Sequence, residues 1–254
     1  MRFFGFLLLG LLCARPVWAE EPVDLALVLV TDVSRSIDDT EFHLEKQGTE
    51  AAFNDARVIA AIRGGAIGKI AVAYVEFAAS YEVKTVVDWR VVSDAASAAR
   101  FGADVAAAPR SFWGRTSISA GIDHAMKLLA SSGFEATRRV IDVCGDGTNN
   151  HGRMVEDARD EAIEAGVGIN GLAIINDHPV SWTFAHVQPP GGLDNWYREH
   201  VTGGPGAFVL EVRDFKSFGE AMARKLITEI AGEMPRTRLA AQDGGSRERT
   251  SSHQ

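Results

Sequence analysis

Five oxygen-bearing side chains lie where apolar segments end or in the loops beside them. Asp32, Ser34 and Ser36 alternate directly after one apolar segment, Thr116 comes just before a helical pattern, and Asp146 follows another apolar segment. Carboxylates and hydroxyls are hard oxygen ligands, which suit Mg²⁺, with Mn²⁺ as a substitute, better than Zn²⁺ or copper. Two carboxylates at one place repel each other unless a cation compensates them. These residue types therefore predict a divalent-cation site.

The segments around these residues predict the elements that hold them. Segments 24–32 and 137–147 are almost continuously apolar, which is typical of central parallel strands covered on both faces. A helix is predicted over 39–62, with Asp38 or Asp39 as its cap, and another over 117–130. If the second helix packs on the sheet, Thr116 reaches the level of the strand ends.

The remaining pattern predicts the sheet. Segments 69–78 and 81–92 are joined by two residues, so they form an antiparallel pair. Elsewhere strands alternate with helices, which predicts an α/β fold: a Rossmann-like, doubly wound, mostly parallel sheet with one antiparallel edge strand and helices on both faces. Ligands of such sheets bind beyond the carboxyl ends of the strands. We therefore expect Asp32 and Asp146 at the same edge.

Four segments together resemble the von Willebrand factor A domain family, which includes integrin I domains. "DVSRS" at 32–36 resembles the Asp-x-Ser-x-Ser core of the metal-ion-dependent adhesion site (MIDAS), and "GRTSISAGID" at 114–123 resembles the threonine loop. "VIDVCGDG" at 140–147 resembles the strand ending in Thr-Asp-Gly, although Gly145 stands where threonine is common. "VTGGPGAFVLEVRDFKSFGEAM" at 201–222 resembles the final strand and helix. The resemblance covers about residues 23–231 and is strongest to a bacterial exported A-domain subfamily catalogued as a domain of unknown function.

The resemblance implies a ligand set and a mode of binding. Ser34 and Ser36 would bind the metal directly, whereas Thr116, Asp32 and Asp146 would bind it directly or through water. One coordination position would remain open, and a Glu or Asp of a partner protein would complete it. The chain would then be a metal-dependent adhesion or assembly module and not an enzyme.

Two other functions are compatible with the same residues. A metal-dependent hydrolase could use Asp32 as its nucleophile, but such enzymes usually carry a second Asp two residues later, where this chain has Ser34. No Gly-x-Ser-x-Gly motif is present, and the motif offers no Lys or His as a base for a serine nucleophile. The other function is that of a structural envelope subunit with a vestigial site.

The N-terminal residues predict export to the periplasm or secretion. Residues 1–19 combine an early Arg2, a short apolar stretch and an Ala19 cleavage position, as in a secretory signal peptide. Cleavage would remove Arg2 and Arg15 from 26 basic residues and none of the 34 acidic ones. A strongly acidic chain of this kind disfavours nucleic acid and anionic membranes as partners. We predict a signal peptide over 1–19, an A-like domain over 23–232 and a disordered polar tail over 233–254.

Several nearby residues receive simpler interpretations. Asp142 is expected to be a buried aspartate satisfied by an Arg or by backbone donors. Cys144 is expected to be a small core residue. Loops 110–115 and 147–153 are the predicted contact loops around the site, and segment 176–206, with Trp182 and Trp196, is a further candidate.

Overall fold

The computed structural model describes residues 20–175, 189–213 and 217–232. The predicted signal peptide, Trp182 and the predicted tail lie outside these residues. The strands are β1 Glu21–Asp32, β2 Ile70–Phe77, β3 Val83–Val92, β4 Phe134–Gly145, β5 Gly168–Ile174 and β6 Val209–Val212. The helices are α1 Asp39–Phe53, α2 Ala56–Arg63, α3 Ala95–Ala107, α4 Ile118–Ala130, α5 Val155–Glu164, α6 Leu193–Trp196 and α7 Phe218–Ala231, and a π-helical turn, Tyr197–Val201, continues α6.

The sheet has the predicted architecture. Its strand order is β3-β2-β1-β4-β5-β6, and β3 pairs antiparallel with β2 at one edge while the other pairings are parallel. From β1 the chain adds strands on one side and then crosses to β4 on the other. The strand order therefore reverses between β1 and β4, which is where open α/β sheets bind ligands.

Helices cover both faces of the sheet, and β1 shows why its sequence is apolar throughout. Leu25, Leu27 and Leu29 pack in a core with α1, α2, α3 and α7. Val28 and Val30 point the other way, into a core with α4, α5, α6 and the π-helical turn. A strand that is buried on both sides needs apolar residues at every position, and the predicted α/β fold class is thereby confirmed.

The helix predicted over 39–62 is wrong in one respect, because the structure divides it in two. Asp38 caps α1, as predicted, in a capping box with Glu41, but α1 ends at Phe53. Asp55 then accepts a hydrogen bond from Arg57 N at 2.7 Å and caps α2. Asn and Asp side chains compete for backbone donors in this way, which favours caps over helix interiors.

The expected partner of Asp142, an Arg or backbone donors, is also corrected, whereas Cys144 is a small core residue as expected. Asp142 forms a buried ion pair with Lys225 of α7, and Lys225 Nζ also lies 2.6 Å from Glu229 Oε1. Burial raises the pKa of Asp142 to about 7, with a further contribution from Glu229. Cys144 is a buried free cysteine in the core beside α1 and α7.

Candidate metal centre

The turn after β1 presents the first three predicted ligands. Asp32 Oδ1 accepts a hydrogen bond from Ser34 N at 2.7 Å, which bends the chain directly after the strand. Ile37 N donates to Ser34 O at 3.1 Å and tightens the turn before α1 begins. The Asp-x-Ser-x-Ser spacing therefore follows from a local turn in which Asp32 fixes the backbone while Ser34 and Ser36 direct their hydroxyls to one side.

The predicted site residues come together from three separate loops. Thr116 Oγ1 donates to Ser34 Oγ at 3.0 Å, the Ser34 and Ser36 hydroxyl oxygens are 3.0 Å apart, and Ser36 Oγ donates to Asp146 Oδ1 at 3.0 Å. Asp32 is fully buried and Asp146 is 1% exposed, whereas Ser36 is partly exposed. The result is a continuous set of oxygen atoms at the carboxyl ends of β1 and β4.

Asn150 holds the threonine loop in place. Its side-chain Oδ1 accepts from Thr116 N at 3.0 Å, and its own backbone N donates to Thr116 O at 2.9 Å. Asn149 contributes in the same manner, because its Oδ1 accepts from Ser119 N at 3.1 Å in the first turn of α4. These two amides, which follow Asp146 closely in sequence, therefore tie the Thr116 loop to the loop after β4.

Arg110 joins the loop 110–115 to the serine turn. Its Nη2 donates to Val33 O at 2.8 Å and to Ser34 O at 2.7 Å. The guanidinium carbon also lies 3.6 Å from the centre of the Trp113 ring, within stacking distance. Arg110 thus holds the turn that carries Ser34 and Ser36, and Trp113 stacks on it.

Tyr197 approaches the same strand ends from the π-helical turn and explains why a glycine occupies position 145. A Cβ atom at Gly145 would lie 2.8 Å from Tyr197 Oη, which is closer than real Cβ contacts, and 3.0 Å from Asp32 Cβ, which is tighter than most of them. The buried tyrosine hydroxyl therefore occupies space that a side chain at position 145 would need. Burial raises the pKa of Tyr197 well above its usual value, and Asp32 raises it further, so the hydroxyl stays protonated near neutral pH.

Glu45 of α1 adds a third carboxylate near the centre, which the sequence reasoning missed. It is 1% exposed, and burial raises its pKa well above the usual value, with further contributions from the charges of Asp146 and Asp32. Within residues 20–175, 189–213 and 217–232, no three His, Cys, Asp or Glu side chains are arranged to hold a metal by themselves. A cation at this place would therefore depend on the three hydroxyls together with Asp32 and Asp146.

This donor set fits a hard divalent cation. Its five side chains offer only oxygen, and Asp32 and Asp146 supply two negative charges in a region shielded from water. The Ser34 hydroxyl lies 3.0 Å from those of both Ser36 and Thr116, so the three can face one ion with little rearrangement of the loops. The ligand types, their burial and their convergence are all compatible with Mg²⁺ or Mn²⁺.

Comparisons with known proteins are consistent with this fold. A family model described as "Protein of unknown function (DUF1194)" matches residues 22–234. No curated protein matches the chain in sequence.

Solved structures resemble the chain in fold at low sequence identity. Proximal thread matrix protein 1 from the mussel byssus has 16% identity and a TM-score of 0.59, over 84% of this chain and 49% of its own. A von Willebrand factor type A protein from Catenulispora acidiphila has 14% identity and a TM-score of 0.59, over 82% of this chain and 43% of its own. This chain thus spans half or less of the length of each of those two proteins. BatB from Bacteroides thetaiotaomicron has 19% identity and a TM-score of 0.50, over 82% of this chain and 100% of its own. The chain belongs to the DUF1194 family, and its fold is that of a von Willebrand factor A domain.

Proposed function

We propose that this chain is an exported, divalent-cation-dependent protein-binding module. The observation that carries the proposal is the convergence of Asp32, Ser34, Ser36, Thr116 and Asp146 at the point where the strand order reverses. Mg²⁺, or Mn²⁺ in its place, would be held by these side chains and would supply a positively charged Lewis-acidic centre. One relative of similar fold, the mussel proximal thread matrix protein 1, is described with a zinc-occupied MIDAS motif.

A carboxylate is the partner group that best fits such a centre. Its negative charge complements the cation, and its oxygen can complete the coordination of a hard ion. Another relative of similar fold is the pilus adhesin SpaC from Lactobacillus rhamnosus GG, with 12% identity and a TM-score of 0.55 over 83% of this chain and 31% of its own. We therefore propose a Glu or Asp on a partner protein as the group that reaches the metal.

The surface around the site offers contact area for that partner. Trp113 is 56% exposed, Tyr81 is 81% exposed and Met154 is 63% exposed, and these are three of the few large apolar side chains at the surface of the described chain. Tyr81 contacts His151, which accepts a hydrogen bond from Ser80 N at 3.0 Å, so the aromatic rim is tied to loop 147–153. Exposed aromatic residues are frequent anchors at interfaces. Trp196, by contrast, packs against the core beside α5 and is not part of this rim.

Export is part of the proposal, with the periplasm or the cell exterior as destination. It rests on the signal-like residues 1–19. None of the helices in the described ranges is long and apolar enough to cross a membrane. N-terminal sequencing of the protein from cells should find Glu20 first, and Met1 or a lipid on Cys13 would contradict this part.

Affinity capture with and without chelator tests the binding function. The tagged protein should retain a partner from envelope extract in Mg²⁺ and release it in EDTA. The Asp146→Ala variant should fail to capture it, whereas Asp104→Ala, which removes an exposed carboxylate on α3, should capture normally. Substitution of one Glu or Asp on the identified partner should abolish binding. Capture that is unchanged by EDTA would favour a structural subunit, and Asp32-dependent hydrolysis of phosphate esters would favour a hydrolase.

A further inference from the structure

Glu45 is a buried carboxylate of α1, on the face of the sheet where Cys144 of β4 packs. Asp146 follows Cys144 by two residues, directly beyond the end of β4 at Gly145, and its charge acts on Glu45. Glu45 is 1% exposed and belongs to the inner face of α1. Neither of its carboxylate oxygens has a hydrogen-bond partner among the described residues.

An ionised carboxylate in such a position needs compensation. Burial of a charge without a partner is costly, and the residues that line the site offer little positive charge to Glu45. Lys46 is the neighbour of Glu45 in α1, but its Nζ lies 2.5 Å from Glu76 Oε1 and is therefore already engaged in a buried ion pair. Arg110 is also close enough to influence Glu45 electrostatically, but it donates to the serine turn and faces Asp39 at 3.6 Å.

The local charges do not balance in the protein alone. Apart from Glu41, which is also buried but is held in the capping box at the start of α1, the buried carboxylates around the centre are those of Asp32, Glu45, Glu76 and Asp146, and the buried cationic groups beside them are those of Lys46 and Arg110. If all these groups are ionised, the cluster has two more negative than positive charges. One divalent cation would neutralise that excess.

We propose that Glu45 is a third carboxylate of the cation centre and sets its affinity for divalent ions. This inference rests on the proposed function. The geometry gives Glu45 a place outside the directly bound shell, because no three acidic side chains of the described chain are arranged to hold a metal together. Glu45 acts through the field that it adds to Asp32 and Asp146. Groups in such outer positions change metal affinity about 10- to 100-fold when they are removed.

Titration with Mn²⁺ tests this role, with binding followed by calorimetry on the full chain. Glu45→Gln keeps the shape and removes the charge, so its Kd for Mn²⁺ should rise about 10- to 100-fold. Its metal-free melting temperature should stay close to that of the wild type, because Gln keeps the shape of the side chain and the raised pKa of Glu45 already favours its neutral form without metal. Glu41→Gln is the matched control: Glu41 lies one turn earlier on the same helix and is held in the capping box, which Gln preserves. Its Kd should stay within about twofold of the wild type, since its carboxylate is already engaged with Asp38 N at the start of α1.

Each outcome separates this inference from the function on which it rests. Wild-type affinity in Glu45→Gln, with lowered metal-free stability, would show a purely structural role and overturn the inference alone. A wild-type chain that does not bind Mn²⁺ would overturn the proposed function and the inference with it. If the Gln variant fails to fold, Glu45→Leu fills a similar volume without a buried amide. Wild-type Mn²⁺ affinity in that variant would equally contradict the role of Glu45, and weakened affinity would support it.

Discussion

Substitution of Gly145 by Ala should destabilise the fold through a close contact with Tyr197. The new methyl group would lie 2.8 Å from Tyr197 Oη and 3.0 Å from Asp32 Cβ. Overpacking of this kind costs about 1–3 kcal/mol. For a domain of this size, each kcal/mol lowers the melting temperature by about 2–4 °C, so we expect a fall of about 2–12 °C.

Adding Tyr197→Phe to the Gly145→Ala variant should recover part of that loss of stability. It removes the hydroxyl that the new methyl group would meet, and this hydroxyl has no hydrogen-bond partner among the described residues. The contact with Asp32 Cβ remains in the double variant, so the recovery should be incomplete. A coupling of about 1 kcal/mol between the two substitutions is expected for residues in contact.

Urea unfolding of the four proteins in EDTA measures this coupling without a contribution from bound metal. Gly147→Ala is the matched control, because a Cβ there would have no atom within 4 Å. That variant should change the free energy of unfolding by less than about 0.5 kcal/mol. If Gly145→Ala is equally harmless, or costs as much in the Tyr197→Phe background as in the wild type, the packing explanation for Gly145 is wrong.

Two further predictions concern the buried ion cluster and the threonine loop. The folded-state pKa of Asp142 is raised to about 7, so its protonation stabilises the fold at low pH, and this contribution is lost as the pH rises from about 4 to about 7. Urea unfolding across that range should show a decline in the free energy of unfolding that is absent in Asp142→Asn. Parallel pH profiles of the two proteins would contradict this prediction. Asn150→Ala removes the acceptor that holds Thr116 N, so the Mn²⁺ affinity should fall about 10- to 100-fold. Asn195→Ala, on the exposed surface of α6, should leave the affinity unchanged, and equal Kd values for the two variants in calorimetry would exclude the role of Asn150.

The sequence was sufficient to predict the sheet and to bring the five oxygen-bearing residues to one edge. Continuous apolar strands indicate burial on both faces, so the polar residues that follow them are expected at the edge of the sheet where the strands end. Asp32 and Asp146 follow from this reasoning because β1 and β4 are adjacent and parallel. The role of these residues as metal ligands stays a prediction.

Glu45 and Tyr197 could not be found in the same way. A Glu followed by a Lys in a helix is typical of a solvated face, and only the packing of α1 against the sheet buries both Glu45 and Lys46. Tyr197 reaches Asp32 from a π-helical turn that is distant in sequence, although Gly145 in place of the usual threonine was a signal that another group fills the space. The break between α1 and α2 also had a signal, since Asn54 and Asp55 are poor helix-interior residues.

Thermal unfolding with and without Mg²⁺ tests the central claim most directly. A cation that binds only the folded chain at about 100 times its Kd adds about 2.7 kcal/mol of stability, which corresponds to a rise of about 5–11 °C for a domain of this size. The Asp32→Ala and Ser34→Ala variants should lose that rise when each is compared with its own melting temperature in EDTA, which Asp32→Ala also lowers because it removes the acceptor for Ser34 N. Equal stabilisation of all three proteins by Mg²⁺, or none in the wild type, would contradict a metal centre at these residues.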